Sequence, residues 1–431
     1  MLYKLKKDTH VRCYDGVGYI TSTGLNKQNR VDESGAVFLG VLSHESQTLE
    51  QLAERLLVVF KGVDRETILP DAREFYDGLA AEGFLARGET ETELDSSDSN
   101  VGWNLPQDAD TVNFFLPGLN KEFMGFNVYL AQYMQRHLGR FMANIRPAAF
   151  YGSFNNAIWQ GGRSMLGMQP YPLEMETAIQ RINDAGVAVR YTYTNSLIEE
   201  KHLNDTYCNL TMELANNGMN EVLVNSPVLE EYLRKQYPHF KYILSTTACE
   251  RNIDRINEAT KKYDLVVLDF RDNRNMEFLE KIQDKNKIEI LVDDYCPSFC
   301  RFRKKHYEIV SRVNLYQGNP NEGGCLETNR PKNIRGFYQN LETYADTNLT
   351  FDDVYGKYRD MGFRNFKLIG RDDRSMFTFE SYMYYLVRPE WRDRVRDELI
   401  GYYVDYIIKY NGGNKIPLLD HPVKLAQSTE K

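Results

Sequence analysis

Leu265-Val266-Val267-Leu268-Asp269-Phe270-Arg271, then Met276 to Lys281, then Ile288-Glu289-Ile290-Leu291-Val292-Asp293-Asp294, is the stretch that decides the fold. Two short runs rich in Val, Ile and Leu each end in a carboxylate, and the segment between them has helical character. Short apolar strands read as buried on both faces, and parallel neighbours need a helical crossover to connect them.

The same unit repeats on either side. Ala148 to Phe154, Ala188 to Thr194, Glu221 to Val224, Tyr242 to Thr246 and Asn365 to Ile369 read as further strands, and an eighth is expected near Ile334 to Phe337. Leu173 to Ala185 and Pro227 to Gln236 read as amphipathic helices between them. Strands alternating with helices at this spacing predict an α/β fold, a (β/α)8 TIM-type barrel over 108–431. Its aromatic tail, Thr378 to Tyr410, is expected to be helical and to pack on the outside of the barrel.

Ahead of the barrel, Val11 to Leu85 reads as a separate unit. Short strands rich in Gly and Thr precede three helices that begin at Asp32, Thr48 and after Asp64, and Gly83 is placed to end the last one. Residues 89–107 carry Glu89, Glu91, Glu93, Asp95 and Asp98 among serines and threonines, and predict a mobile acidic linker after a first domain of 1–88.

The order of strands and helices, with Leu49 after Gln47-Thr48 and Leu79 leading to Gly83-Phe84-Leu85, resembles the PqqD family. That resemblance implies a winged-helix recognition module for ribosomally made, modified peptides. A leader peptide would add as a strand to an exposed edge, here expected near Tyr14 to Thr23 with Tyr19, Ile20 and Thr21 in contact. The alternative is a winged helix that only packs or dimerises.

Charge and apolar length set limits on partners. A net charge of −8 without a basic field argues against nucleic acid. No apolar run approaches the roughly 20 residues that span a bilayer, and Met1 to Arg12 has no apolar signal segment, so no membrane role and a cytoplasmic location are expected.

In a parallel barrel the chemistry sits where strands end at their carboxyl side. Those ends supply Asp269, Arg271, Asp293, Lys367 and Arg371 as candidate catalytic groups, with His306 just beyond. Asn155 and Asn195, with Arg163 of Trp159-Gln160-Gly161-Gly162-Arg163, are candidates for holding substrate. An arginine beside a glycine turn suits a carboxylate or phosphate, although the segment reads equally well as a structural turn.

Cys296 and Cys300 follow the strand ending at Asp293, and Cys325 follows Gly323-Gly324. Thiolates hold zinc or iron–sulfur clusters. Cys296, Cys300, Cys325 and Cys249 are therefore the expected ligands of an iron–sulfur cluster or other metal, the alternative being buried free thiols. The Cys-x3-Cys order resembles radical S-adenosylmethionine enzymes, with Arg303 standing where their third cysteine would be. Glu221 to Glu308 is similar to collagenase-like peptidase barrels and their iron–sulfur relatives.

Together these readings describe a maturation enzyme that binds a precursor peptide by its leader and modifies its core at the barrel, by a reaction left open. The alternatives are a non-catalytic escort serving a companion modifying enzyme, and a peptidase-like or small-molecule enzyme with a regulatory winged helix.

Overall fold

Asp32, Thr48 and Asp64 each accept a backbone N–H from the third residue onward, and each starts a helix. Such caps satisfy N–H groups that an isolated helix end leaves unpaired. These caps organise the first of two compact units into which the chain divides, one holding the described residues up to 98 and the other those from 108 to 410. The structure, a computed structural model, describes residues 1–14, 16–22, 25, 27–98, 108–119, 123–162, 167–319, 325–328, 336–370 and 375–410.

In the first unit β1 (Leu2–Leu5), β2 (Thr9–Tyr14), β3 (Val17–Ser22) and β4 (Lys27–Val31) precede α1 (Glu33–Gly40). They are followed by β5 (Gln47–Thr48), α2 (Leu49–Val59), α3 (Arg65–Ala81), β6 (Leu85–Gly88) and α4 (Glu91–Ser97). Two antiparallel sheets, β5-β1-β6 and β2-β3-β4, enclose a core in which Leu39, Leu52, Leu56, Ala72, Tyr76 and Phe84 are fully buried. Gly83 has φ +88°, a left-handed residue just past the α3 cap where glycine relieves the Cβ clash.

Two expectations are corrected here. Residues 89–98 are not the start of a free linker: α4 buries Leu94 completely, and Lys4 of β1 pairs with Asp95 and Asp98 at 2.7 and 2.9 Å. The acidic run hid one apolar anchor and two carboxylates with a cationic partner far away in sequence. The rest of the expected linker, 99–107, lies outside the described residues. Secondly, Tyr19, Ile20 and Thr21 lie on the central strand, where they pair with Arg12, Val11 and His10 on one side and with Arg30, Asn29 and Gln28 on the other. Both edges of β3 are used, so no further strand can add there.

The second unit is a closed barrel of eight parallel strands in the order β10-β11-β12-β13-β14-β7-β8-β9. The strands are β7 (Val112–Pro117), β8 (Ile145–Gly152), β9 (Ala188–Tyr193), β10 (Glu221–Val224), β11 (Lys241–Leu244), β12 (Leu265–Val267), β13 (Ile288–Leu291) and β14 (Asn365–Lys367). Helices α5 (Phe123–Arg136), α6 (Pro172–Asp184), α7 (Thr206–Leu214), α8 (Pro227–Gln236), α9 (Ile253–Lys262) and α10 (Met276–Glu280) alternate with the strands up to β13. Helices α11 (Arg303–Asn314) and α12 (Phe337–Thr343) and a π-helical segment (Asp353–Tyr358) lie between β13 and β14, and α13 (Ser375–Leu386) and α14 (Arg392–Tyr410) follow β14.

The eighth strand is β7, ahead of the others, and not Ile334 to Phe337: Phe337 opens α12, and Ile334 lies outside the described residues. The tail packs on α5, with Tyr402 stacked on Tyr129 at 4.0 Å and Tyr403 edge-on to Phe126 at 4.8 Å. Among the described residues no helix is long and apolar enough to cross a membrane.

Candidate functional site

Successive strand residues point to opposite sides, so alternate positions fill a barrel. Barrel interiors are ordinarily layered with Val, Ile and Leu; this one carries charge. Arg190 of β9 donates through Nε to Glu221 at 2.5 Å and through Nη1 to Glu289 of β13, and its guanidinium carbon lies 3.7 Å from the centre of the Phe115 ring. Burial opposes the charge on Arg190, but the two glutamates outweigh it and hold the guanidinium protonated. Lys367 of β14 brings its ammonium 3.6 Å from Glu289 and 4.0 Å from the centre of the Tyr151 ring. Lower in the barrel, Arg146 donates to Asn113 at 2.8 Å, and Asn113 donates to Asn365 at 3.0 Å.

Above this network, at the carboxyl ends of the strands, is a cavity of about 80 Å³. Its floor is made by Tyr151, Thr192, Leu223, Leu291 and Lys367, and its walls include Ser153, Thr194, Ser245, Thr246 and Thr247. The Gly161-Gly162 turn supplies one wall. A Cβ at Gly161 would meet the Thr194 carbonyl oxygen at 2.4 Å, and Gly162 has φ +78°, so both positions need glycine. Arg163 beside it lies outside the described residues, as does Arg371.

Helix α11 lies across this mouth instead of on the outside of the barrel. Arg303 at its start donates to Thr246 Oγ1 at 2.9 Å and lies 3.4 Å from Asp269. Tyr307 reaches the cavity; Ser311 meets Asn195 and Ser196, and Asn314 donates to the Gln160 carbonyl at 2.8 Å. The helix therefore touches the loops after β8, β9, β11 and β12.

Asp269 is almost wholly buried and is gripped by Arg271 through two bonds of 2.8 and 2.6 Å. Burial pushes its carboxyl upward, yet the Arg271 hydrogen bonds and the Arg303 charge more than compensate and hold it below the usual carboxylate range. Asp293 behaves oppositely. Burial raises it to about 7, with nearby Asp294 adding to the rise, against hydrogen bonds from Ser381 (2.6 Å) and the Ile369 N–H (2.8 Å). It ties β13 to β14 and to α13.

Of the other expected site residues, Asn195 is fully buried, and its amide is occupied by the carbonyls of Ile158 and Ser311 and by the Leu197 N–H. Asn155 donates to the Met168 carbonyl at 3.2 Å. His306 is half-buried on α11, with its ring edge-on to Tyr307. Asp269, Arg271 and Lys367 stand at the barrel mouth or just beneath it, and only Lys367 of these lines the cavity.

The four cysteines differ in exposure. Cys300 is buried, Cys249 and Cys296 are half-buried, and Cys325 is exposed, its thiol directed to the Glu327 carbonyl at 3.8 Å. Among the described residues no three His, Cys, Asp or Glu side chains form a group able to hold a metal ion. Cys249 occupies a left-handed turn beside Arg303, and burial raises its thiol, with Arg303 opposing.

Arg190, Glu221, Glu289 and Tyr307 were not among the expected site residues. A signal for three of them was present: a lone charge within the first three residues of a strand, as in Ile288-Glu289-Ile290-Leu291.

Strand order and mouth together define a TIM-like barrel protein with a cavity at the carboxyl ends of its strands, lined in part by helix α11. No family model and no curated protein matches the chain. Among solved structures, the U32 peptidase Mk0906 aligns at 13% identity and TM-score 0.37 over 61% of this chain and 94% of that one. MccB of E. coli, solved with ATP, aligns at 12% identity and TM-score 0.16 over 61% and 68%. The barrel assignment rests on the strand pairing of the chain itself.

Proposed function

We propose that this chain is a peptide-modifying enzyme, with a PqqD-like winged-helix unit that captures the leader of a precursor peptide and a barrel that acts on the core segment. The observation that carries the reading is an edge strand beside a groove. β4 pairs only with β3 among the described strands, and a groove of about 520 Å³ at its end is floored by Phe38 and Phe75 and rimmed by Asp32, Asp71 and Glu74. An extended peptide adding to β4 would gain backbone hydrogen bonds there, with an apolar pocket for one side chain and carboxylates for a basic one.

Binding of the full chain to short peptides encoded beside it tests this reading. Because N–H groups alternate in direction along a strand, one of Gln28 and Asn29 turns its N–H outward. Proline at that position is expected to weaken binding at least tenfold, while an alanine there leaves it nearly unchanged. Absence of binding to any such peptide, or equal binding by the proline variant, overturns the reading.

A second reading, a non-catalytic escort, is favoured by one feature. Asp269, one of the carboxylates expected to serve catalysis, is engaged by Arg271 and Arg303. Turnover of a bound precursor by the purified chain separates the two.

A further inference from the structure

Helix α11 is buried on one side and basic on the other. Arg303, Tyr307, Ser311 and Asn314 are turned to the barrel mouth, whereas Lys304, Lys305 and Arg312 are exposed, with exposed Arg301 just ahead of the helix. Lys304, Lys305, half-buried Glu308 and Arg312 recur at three and four residues and so share one face. Four cations against one carboxylate is the reverse of the chain as a whole, in which 61 Asp and Glu outnumber 53 Lys and Arg. Among the described residues none of the four cations forms an ion pair. Lys304 and Lys305 stand in the first turn, where the helix dipole disfavours positive charge. An anionic partner would offset both costs.

We propose that this face of α11 is the docking surface for a short acidic segment of a peptide. Charge complementarity carries the choice of occupant. Arg301 to Arg312 covers about 16 Å at the rise of a helix, the reach of roughly five residues of extended chain. Asp346, which accepts from Ser298, and Asp205, near Tyr316, bound the stripe at its two ends. Salt screens exposed charges beyond about 8–10 Å, so a segment of that length responds to the stripe itself. A nucleic-acid backbone or an anionic membrane would extend past it over a protein of net charge −8. Tyr307 of the same helix lines the mouth cavity. On the reading of the barrel as a peptide-modifying enzyme, on which this part of the inference rests, the segment belongs to the precursor and holds its neighbouring residues at the mouth.

Fluorescence anisotropy of the full chain with a labelled, capped pentaglutamate peptide at low ionic strength tests the surface. That peptide should bind roughly tenfold more tightly than its pentaglutamine counterpart, and added salt should weaken it. Lys304→Glu combined with Lys305→Glu should lower its affinity about tenfold with an unchanged unfolding midpoint. Lys235→Glu combined with Lys241→Glu, exposed at the opposite end of the barrel, makes the same change in net charge and should leave binding nearly unaltered. Should the first pair unfold the chain, Arg312→Gln alone should still weaken binding several-fold. No binding of pentaglutamate, equal binding of pentaglutamine, or equal loss in the two double variants overturns the surface. Tighter binding of an oligothymidylate or of phosphatidylserine vesicles overturns the choice of a peptide. The probe carries no leader, so pentaglutamate binding without capture of any precursor keeps the surface and overturns only its assignment to a precursor.

Discussion

Arg190 on β9 and Glu289 on β13 form an ion pair across the barrel, since their strands lie four apart around the ring of eight. Each is fully buried, and each has a second partner, Glu221 for the arginine and Lys367 for the glutamate. A buried pair of this kind contributes little net stability but becomes costly when one member is removed.

Glu289→Leu should therefore destabilise the barrel by about 3–5 kcal/mol, because two buried cations lose their shared partner. The double variant Arg190→Met with Glu289→Leu removes one charge of each sign and should recover much of the loss. Urea unfolding midpoints of the two proteins check this. A single-variant loss under about 1 kcal/mol would contradict the shared-partner account.

Asp293 sets a pH dependence. Its folded carboxyl is raised from 3.8 to about 7, so between these values the folded state holds a proton that the unfolded chain has released. Its contribution is most favourable below pH 4 and is lost as pH rises toward 7, by up to about 1.4 kcal/mol per pH unit. Asp293→Asn should remove this slope, seen as a smaller fall in Tm between pH 5 and pH 8. An identical fall in both proteins would assign the slope to other groups.

α11 is held by polar contacts at Arg303, Ser311 and Asn314 and also buries Tyr307, Val310 and Val313. Arg303→Met removes the Thr246 and Asp269 contacts while Arg271 still holds Asp269, so the overall loss should stay near 1–3 kcal/mol. Amide exchange over 303–314 should accelerate about tenfold, with the strands β8 to β12 unaffected. Uniform acceleration throughout the barrel would instead make Arg303 part of the global core.

Leu94 distinguishes a packed α4 from a free linker. Leu94→Ala should cost the first unit about 2–5 kcal/mol, as buried leucine truncations do. A linker residue would show no change in the unfolding midpoint.

Local chemistry made much of this molecule readable from its sequence. Asp32, Thr48 and Asp64 announced helix starts because a cap acts within three residues, and Pro227–Gln236 matches its expected bounds for the same reason. Seven strands were visible as short apolar runs, and the alternation of strand and helix implied a parallel barrel. Strand neighbours were not visible. That β3 is the middle strand, leaving β2 and β4 as the edges, depends on pairing between separate segments. The charge of Glu289 could be read in its strand, but its inward direction and its meeting with Arg190 and Lys367 required the ring to close. Likewise the position of α11 could not be read from its own residues, because Asn195, Gln160 and Thr246 fix it from three other loops. Spacing put Cys296, Cys300 and Cys325 near one another along the chain, whereas their different burial follows from how the mouth loops pack. Caps and periodicity act over one or two turns of chain; closure of the ring and the packing of its mouth bring together residues that sequence order keeps apart.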